Sequence, residues 1–231
     1  MITLNWKYIA LLSVGTIAMF IVMLLQPRKD KHHWWEIAII AVALTITGTT
    51  GTNLLYFIEN GAWGGQSFFG AIFFVPFVFW WVAKLLRVPY GELMDICAPA
   101  ECIMLVLFKI RCYISGCCEG KVIWYTDEGA PVFFPSQIVE LICALLIMLV
   151  LIRIEKSSKS VGKIYPYYLL LYGSSRYILN WFRWDTAPFV WILPPGNFWS
   201  LCAILMAGVW LFGLYLKEKR DRKGTVLPNT D

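Results

Sequence analysis

The sequence predicts an all-α, polytopic membrane bundle of about seven helices, with its N-terminus outside and its C-terminus cytoplasmic, and three observations carry that expectation. Hydrophobic residues make up 59% of the chain and charged residues 15%, with mean hydropathy +0.64. Soluble domains run at roughly 45–50% apolar and about 25% charged. Apolar runs close to the ~20 residues needed to cross ~30 Å of hydrocarbon recur along the whole length. Lys and Arg gather in alternate connections, as cytoplasmic loops require.

The first run, 8–25, lacks a basic segment before it and is followed by Gln26-Pro27-Arg28 in place of a small-residue cleavage site. It is therefore expected to stay as a helix, not to be removed as a signal peptide. The second, 34–57, opens on Trp34-Trp35, and the third, 67–86, closes on Lys84 and Arg87. The fourth, 93–114, ends in Lys109-Ile110-Arg111-Cys112-Tyr113-Ile114-Ser115-Gly116-Cys117-Cys118-Glu119-Gly120-Lys121. The fifth, 136–154, follows Phe133-Phe134-Pro135, where a proline costs nothing because the first turn has no N–H partner to lose. The sixth, 165–182, is the most polar, and the seventh, 197–216, leads into a basic tail, 216–231. With so little chain between them, residues 1–231 form a single integral membrane domain.

Placing the N-terminus outside puts 14 of the 20 Lys and Arg in cytoplasmic segments, at Arg28, Lys29, Lys31, Lys84, Arg87, Arg153, Lys156, Lys159, Lys163, Lys217, Lys219, Arg220, Arg222 and Lys223. The net charge of +5 is thus a topology signal and no indication of nucleic-acid binding. Trp34, Trp35, Trp63, Trp80, Trp81, Trp124, Trp181, Trp184, Trp191 and Trp199 fall mostly near helix ends, where amphipathic rings anchor at the interface. The loop from Val122 to Val132 lies outside, and its Asp127-Glu128-Gly129-Ala130-Pro131 reads as an ordinary turn.

Seven cysteines, an odd number scattered over helices, do not make a disulfide framework. Cys112, Cys117 and Cys118 are read as small residues where a helix ends and the chain turns beside Gly116 and Gly120. No metal is expected, since zinc sites usually take four ligands and the only histidines, His32 and His33, belong to the other side of the membrane.

Ionisable residues inside a membrane are costly and mark function by default. On the sixth helix Tyr172, Arg176, Asn180 and Arg183 recur at spacings of three and four, which shares a face. Arg176 lies seven residues deeper than Arg183, ~10 Å at 1.5 Å per residue. It either pairs with Glu140 to fix packing or binds a substrate anion. Gln137 and Glu140 share a face of the fifth helix, and Glu140 is expected to neutralise Arg111 or Arg176. Lys109, Arg111, Arg176, Arg183, Gln137 and Glu140 thus gather in the outer half of the bundle. Guanidinium forks and an ammonium suit a phospholipid phosphate there.

These segments together carry a resemblance. Gly116-Cys117-Cys118-Glu119-Gly120-Lys121, then Phe134-Pro135-Ser136-Gln137-Ile138-Val139-Glu140, then Tyr172-Gly173-Ser174-Ser175-Arg176 through Arg183, with Gly64-Gly65-Gln66-Ser67-Phe68 upstream, resemble in order and spacing the prolipoprotein diacylglyceryl transferase family. The resemblance implies a bacterial cytoplasmic-membrane enzyme without a cofactor. Its substrates would be phosphatidylglycerol and an exported preprotein with a lipobox cysteine, and it would join the diacylglyceryl group to that cysteine as a thioether. It implies Arg176, Lys109, Glu140 and Tyr172 as catalytic residues. Arg183, Gln137, Gly116, Gly120 and Lys121 would bind substrate, to which the charge and helix-face readings above add Arg111 and Asn180.

The chain also departs from the family pattern. Lys109 stands for the arginine of GRIG, Arg111 for its second glycine, Phe69 and Phe134 for two histidines, Val139 for a tyrosine, Asn180 for a glutamate and Asn53 for an arginine. Two helical residues turn by ~200°, so Arg111 points away from the place of the family arginine. The alternatives are a member with an altered lipid-transfer reaction or acceptor, and a noncatalytic lipid-binding accessory protein.

Overall fold

The computed structural model describes residues 6–27, 32–157, 161–183 and 189–224. Seven helices stand among them: α1 Trp6–Leu25, α2 Trp34–Asn60, α3 Phe69–Leu86, α4 Tyr90–Ile114, α5 Ser136–Ser157, α6 Ile164–Asn180 and α7 Pro195–Gly224. The expected boundaries fall within a few residues of these except at the end of α7, which continues into the expected tail. Arg28, Lys29, Lys31, Lys159, Trp184 and residues 225–231 lie outside the described residues.

The connections alternate between two ends of the bundle. At one end Gln66 Nε2 donates to Tyr8 Oη at 2.6 Å, and the guanidinium of Arg111 lies 5.1 Å from the Tyr8 ring centroid. At the other, Gln26 Nε2 donates to the Ile96 carbonyl at 3.0 Å, and Lys163 Nζ lies 2.8 Å from Glu218 Oε1. The first end also holds a structure that the sequence reading took for a plain turn. Strands β1 Val122–Tyr125 and β2 Pro131–Phe133 pair antiparallel, joined by a turn in which Gly129 takes φ +78°. It is called the hairpin end below.

Five helices, α1, α2, α3, α5 and α7, are long and apolar enough to cross a membrane. The other two differ for a reason that organises the fold. Helix α4 carries Glu92, Asp95, Glu101, Lys109 and Arg111, yet 15 of its 25 residues are buried, against three of 20 in α1. It packs against α1, α3, α5 and α6, and α6 in turn against α5 and α7. A helix enclosed by other helices can carry polar groups, because its neighbours and not hydrocarbon are its solvent.

Two buried devices hold these central helices in place. Asp95, wholly buried on α4, accepts from the backbone N–H of Gly162 (2.7 Å) and Ile164 (2.8 Å), capping the start of α6 with a carboxylate where the helix dipole favours one. Pro76 interrupts the ladder of α3 and leaves the Ile72 carbonyl without its i+4 donor. The Tyr165 hydroxyl of α6 donates to that carbonyl at 3.0 Å.

Most of the tryptophans expected as interfacial anchors are exposed at helix ends or loops. Trp199 is an exception, half-buried among Phe73, Phe189 and Phe198. It serves the packing of α7.

Candidate active site

Helix α4 ends in a Schellman motif. Gly116 takes φ +62°, a conformation favouring glycine, while Cys117 N–H donates to the Cys112 carbonyl (3.0 Å) and Gly116 N–H to that of Tyr113 (3.2 Å). The chain thereby folds back over the last turn of the helix. Ser136 Oγ then donates to the Cys118 carbonyl (2.6 Å) and Gln137 Nε2 to the Cys117 carbonyl (2.8 Å), fastening the loop to the start of α5. Ser136, wholly buried, is one residue of this end that sequence reasoning passed over.

Beyond the Schellman turn three segments knit together. Gly120 N–H donates to the Phe134 carbonyl (3.0 Å), Phe134 N–H to that of Lys121 (2.9 Å), and Lys121 N–H to that of Phe182 (2.8 Å). A Cβ on Gly120 would lie 2.6 Å from the Phe134 carbonyl oxygen and 2.8 Å from that of Phe182. Glycine is required there for the three strands of chain to meet. Helix α6 stops at Asn180, short of the expected 182, and Arg183 is placed by an antiparallel bridge to Gly120 instead of by helical phase.

The result is a compact charge cluster about Glu140. Its Oε1 receives Nη1 of Arg176 and, at 3.2 Å, Nη1 of Arg183; its Oε2 faces Lys109 Nζ at 2.5 Å. The Glu140 side chain is 4% exposed and the three cations between 11% and 14%. Three cations against one carboxylate leave a surplus of two positive charges in a poorly hydrated place. Although their backbone positions are seven residues apart, the guanidinium groups of Arg176 and Arg183 both reach one carboxylate oxygen.

Other expected residues are distributed differently. Arg111 is exposed and stacks on Tyr8, so the partners of Glu140 are Arg176, Lys109 and Arg183. Asn180 is buried but turned toward α7, where its Nδ2 donates to Asn197 Oδ1; eight residues on from Tyr172 is ~80° of helical rotation. The Lys121 side chain is exposed, and its backbone carries the knit described above. Gln137 is occupied with the Cys117 carbonyl.

A narrow cleft runs from this cluster between α4, α5 and α6. Glu140, Arg176 and Tyr172 line its polar part, and Leu105, Ala144, Ile147 and Leu179 its apolar part. Tyr172 is fixed by the rings of Phe68 (5.5 Å) and Phe69 (5.4 Å). Phe134 stacks on Phe182 at 5.1 Å. A second, narrow pocket lies among α1 to α4 and is apolar apart from Thr45, Thr49, Thr52 and the buried Glu101, a carboxylate the sequence reading did not single out.

The cysteines at the end of α4 also lie close together. The sulfurs of Cys112, Cys117 and Cys118 all lie within 4.8 Å of one another. Cys118 takes φ +64°, unusual for a non-glycine residue, and its thiol is pulled well below the usual range by the hydrogen bond from Cys112, which outweighs burial, and by the charges of Arg183 and Lys109.

Comparison with known proteins places the chain in a family. Residues 2–213 match the family model of prolipoprotein diacylglyceryl transferase. The phosphatidylglycerol–prolipoprotein diacylglyceryl transferase of Clostridium tetani is 24% identical over 234 residues, covering 90% of this chain and 92% of that protein. The enzyme of the same name from Geobacter sulfurreducens is 26% identical over 201 residues, covering 80% and 76%. That of Francisella tularensis subsp. novicida is 26% identical over 209 residues, covering 79% and 76%. With the match running through all four signature segments and nearly the whole chain, this protein belongs to the prolipoprotein diacylglyceryl transferase family.

Proposed function

We propose that this chain transfers the diacylglyceryl group of phosphatidylglycerol to the lipobox cysteine thiol of an exported prolipoprotein. The observation that carries the reading is the surplus positive charge of Lys109, Arg176 and Arg183 over Glu140 at the head of a cleft with apolar walls. A phosphodiester brings one negative charge. When the thiol sulfur attacks the glycerol carbon, a C–S bond forms, the C–O bond to phosphate breaks, and glycerol phosphate departs as a monoester of charge about −1.5 to −2. Charge therefore develops on the phosphate during the reaction, and preorganised cations favour the transition state over the bound lipid.

In this reading Arg176 and Arg183 hold the phosphate by guanidinium forks, Lys109 adds a point charge, and Glu140 keeps the three from repelling one another before lipid arrives. Tyr172 packs the cleft beside the reacting carbon. Gly116, Gly120, Lys121 and Gln137 act through the backbone of the loop that positions Arg183. Asn180 supports the end of α6. The incoming sulfur attacks as thiolate, its proton given up to solvent so that the released monoester keeps its second charge, because Glu140 is already engaged by three cations.

All seven helices would cross the bacterial cytoplasmic membrane as one domain, α4 and α6 within the shelter of the others, with the hairpin end in the outer leaflet. Lys84, Arg87, Arg153, Lys156 and Lys163 at the opposite end support that orientation.

The test is expression in cells lacking their own transferase, with a lipobox reporter read by mass. Gain of one diacylglyceryl group is expected, and Arg176→Ala should abolish it. A reporter left unmodified by the wild-type chain would sink the assignment. Phe69 and Phe134 at the family's histidine positions favour one second reading, a lipid-binding member without turnover. Binding of labelled phosphatidylglycerol without headgroup release would support that reading instead.

A further inference from the structure

The three sulfurs at the end of α4 have no task in the transfer reaction. Cys112 stands on the last turn of the helix, and the Schellman motif carries Cys117 and Cys118 back over it. All three sulfurs come within 4.8 Å of one another, two of them half-buried and Cys117 exposed. Ser136 and Gln137 pin the carbonyls of Cys118 and Cys117, so the loop holds this conformation by hydrogen bonds outside the sulfurs themselves.

A thiolate-bound ion sits ~2.3 Å from each sulfur, which puts three sulfurs in a plane ~4 Å apart. The observed spacing reaches that geometry with sub-ångström adjustment. A disulfide would use two sulfurs and leave the third without a part. Thiolates select soft ions such as Cu(I) and zinc. Zinc usually takes four ligands, whereas Cu(I) is satisfied by three sulfurs, and among the described residues no fourth metal-ligating side chain joins this group.

The neighbourhood adds a consequence. The Arg183 guanidinium that reaches Glu140 at 3.2 Å also has the Cys118 sulfur as an electrostatic neighbour. Three thiolates with one Cu(I) carry a net charge of −2. That equals the surplus of positive charge that Lys109, Arg176 and Arg183 hold over Glu140.

We propose that Cys112, Cys117 and Cys118 form a binding site for Cu(I), and that its loading cancels the charge with which the adjacent cluster attracts a lipid phosphate. The site makes the enzyme sensitive to a soft metal at the hairpin end. The binding half of this proposal stands on the sulfur geometry alone; the inhibitory half rests on the transferase reading.

The test uses the purified full-length protein in detergent, reduced and kept without oxygen. Cu(I) is titrated against a competing chelator, and sulfur-to-copper charge-transfer absorption is recorded. One ion per chain is expected, with affinity falling at least about 100-fold in Cys117→Ser and in Cys118→Ser and unchanged in Cys143→Ser and Cys202→Ser. Absence of binding, binding indifferent to the first two substitutions, or a reduced protein that only closes a Cys112–Cys118 disulfide when air is admitted would overturn the site. In a second arm, headgroup release is measured with and without Cu(I). A KM for phosphatidylglycerol raised at least tenfold by Cu(I) in the wild type, and unaffected by it in Cys117→Ser, is expected. Stoichiometric binding without that change would overturn the inhibitory half and leave the metal site standing. A chain with no headgroup release at all would count against the transferase reading, not against the sulfur site.

Discussion

Lys109 Nζ lies 2.5 Å from Glu140 Oε2, on the opposite oxygen from the two guanidinium groups. The ammonium therefore completes a cluster in which one carboxylate organises three cations. A point charge is sufficient to complete that balance, since the fork geometry is already supplied twice.

Lys109→Met should reduce headgroup release by about 100-fold, the usual cost of deleting one charge-stabilising donor. Lys109→Arg should keep most of the activity. The comparison of initial rates with labelled phosphatidylglycerol checks both, and equal rates for wild type and Lys109→Met would remove this residue from the site.

Arg111→Ala should leave the rate within about twofold of wild type. Its guanidinium is spent on the Tyr8 ring, 5.1 Å away, and exposed interactions of that sort are worth ~0.5–1 kcal/mol. A loss comparable to that of Arg176→Ala would show that Arg111 swings into the cleft during turnover.

Glu140→Gln should destabilise the fold by about 3–5 kcal/mol, because it leaves three poorly hydrated cations without their counter-charge. Added anionic lipid supplies that charge from outside. Thermal unfolding in detergent should thus recover more strongly with phosphatidylglycerol in this variant than in wild type, and no extra recovery would contradict an anion site.

Asp95→Ala should cost about 2–4 kcal/mol by uncapping α6 at Gly162 and Ile164. Arg176 and Tyr172 ride on that helix, so the loss of stability should be accompanied by loss of activity although Asp95 is at the far end. Hydrogen exchange of the first turn of α6 would report the uncapping; unchanged protection there would reject the role.

Much of the architecture was legible in the sequence. Seven apolar segments appeared near their observed limits because hydrocarbon-length runs are a one-dimensional signal, whereas the cost of isolated charge left pairing with Glu140 as one of two roles open to Arg176. The signature blocks around Gly116, Gln137 and Tyr172 likewise pointed to the family. Helical phase alone misjudged Arg183 and Asn180, since Arg183 lies beyond the end of α6 and is placed by a bridge to Gly120.

What the sequence determined by itself was composition against solvent: which segments leave water, and which charges need partners there. The tertiary structure decided the partners. It sent Arg111 to Tyr8 and Lys109 to Glu140, sheltered α4 and α6 among the other helices, and gathered three sulfurs that a linear reading took for turn residues. The physical reason is that burial depends on local composition, whereas an ion pair or a thiolate cluster depends on distances of 3 to 5 Å between groups far apart in the chain, set only once backbone segments such as 120–121, 133–134 and 182–183 have paired.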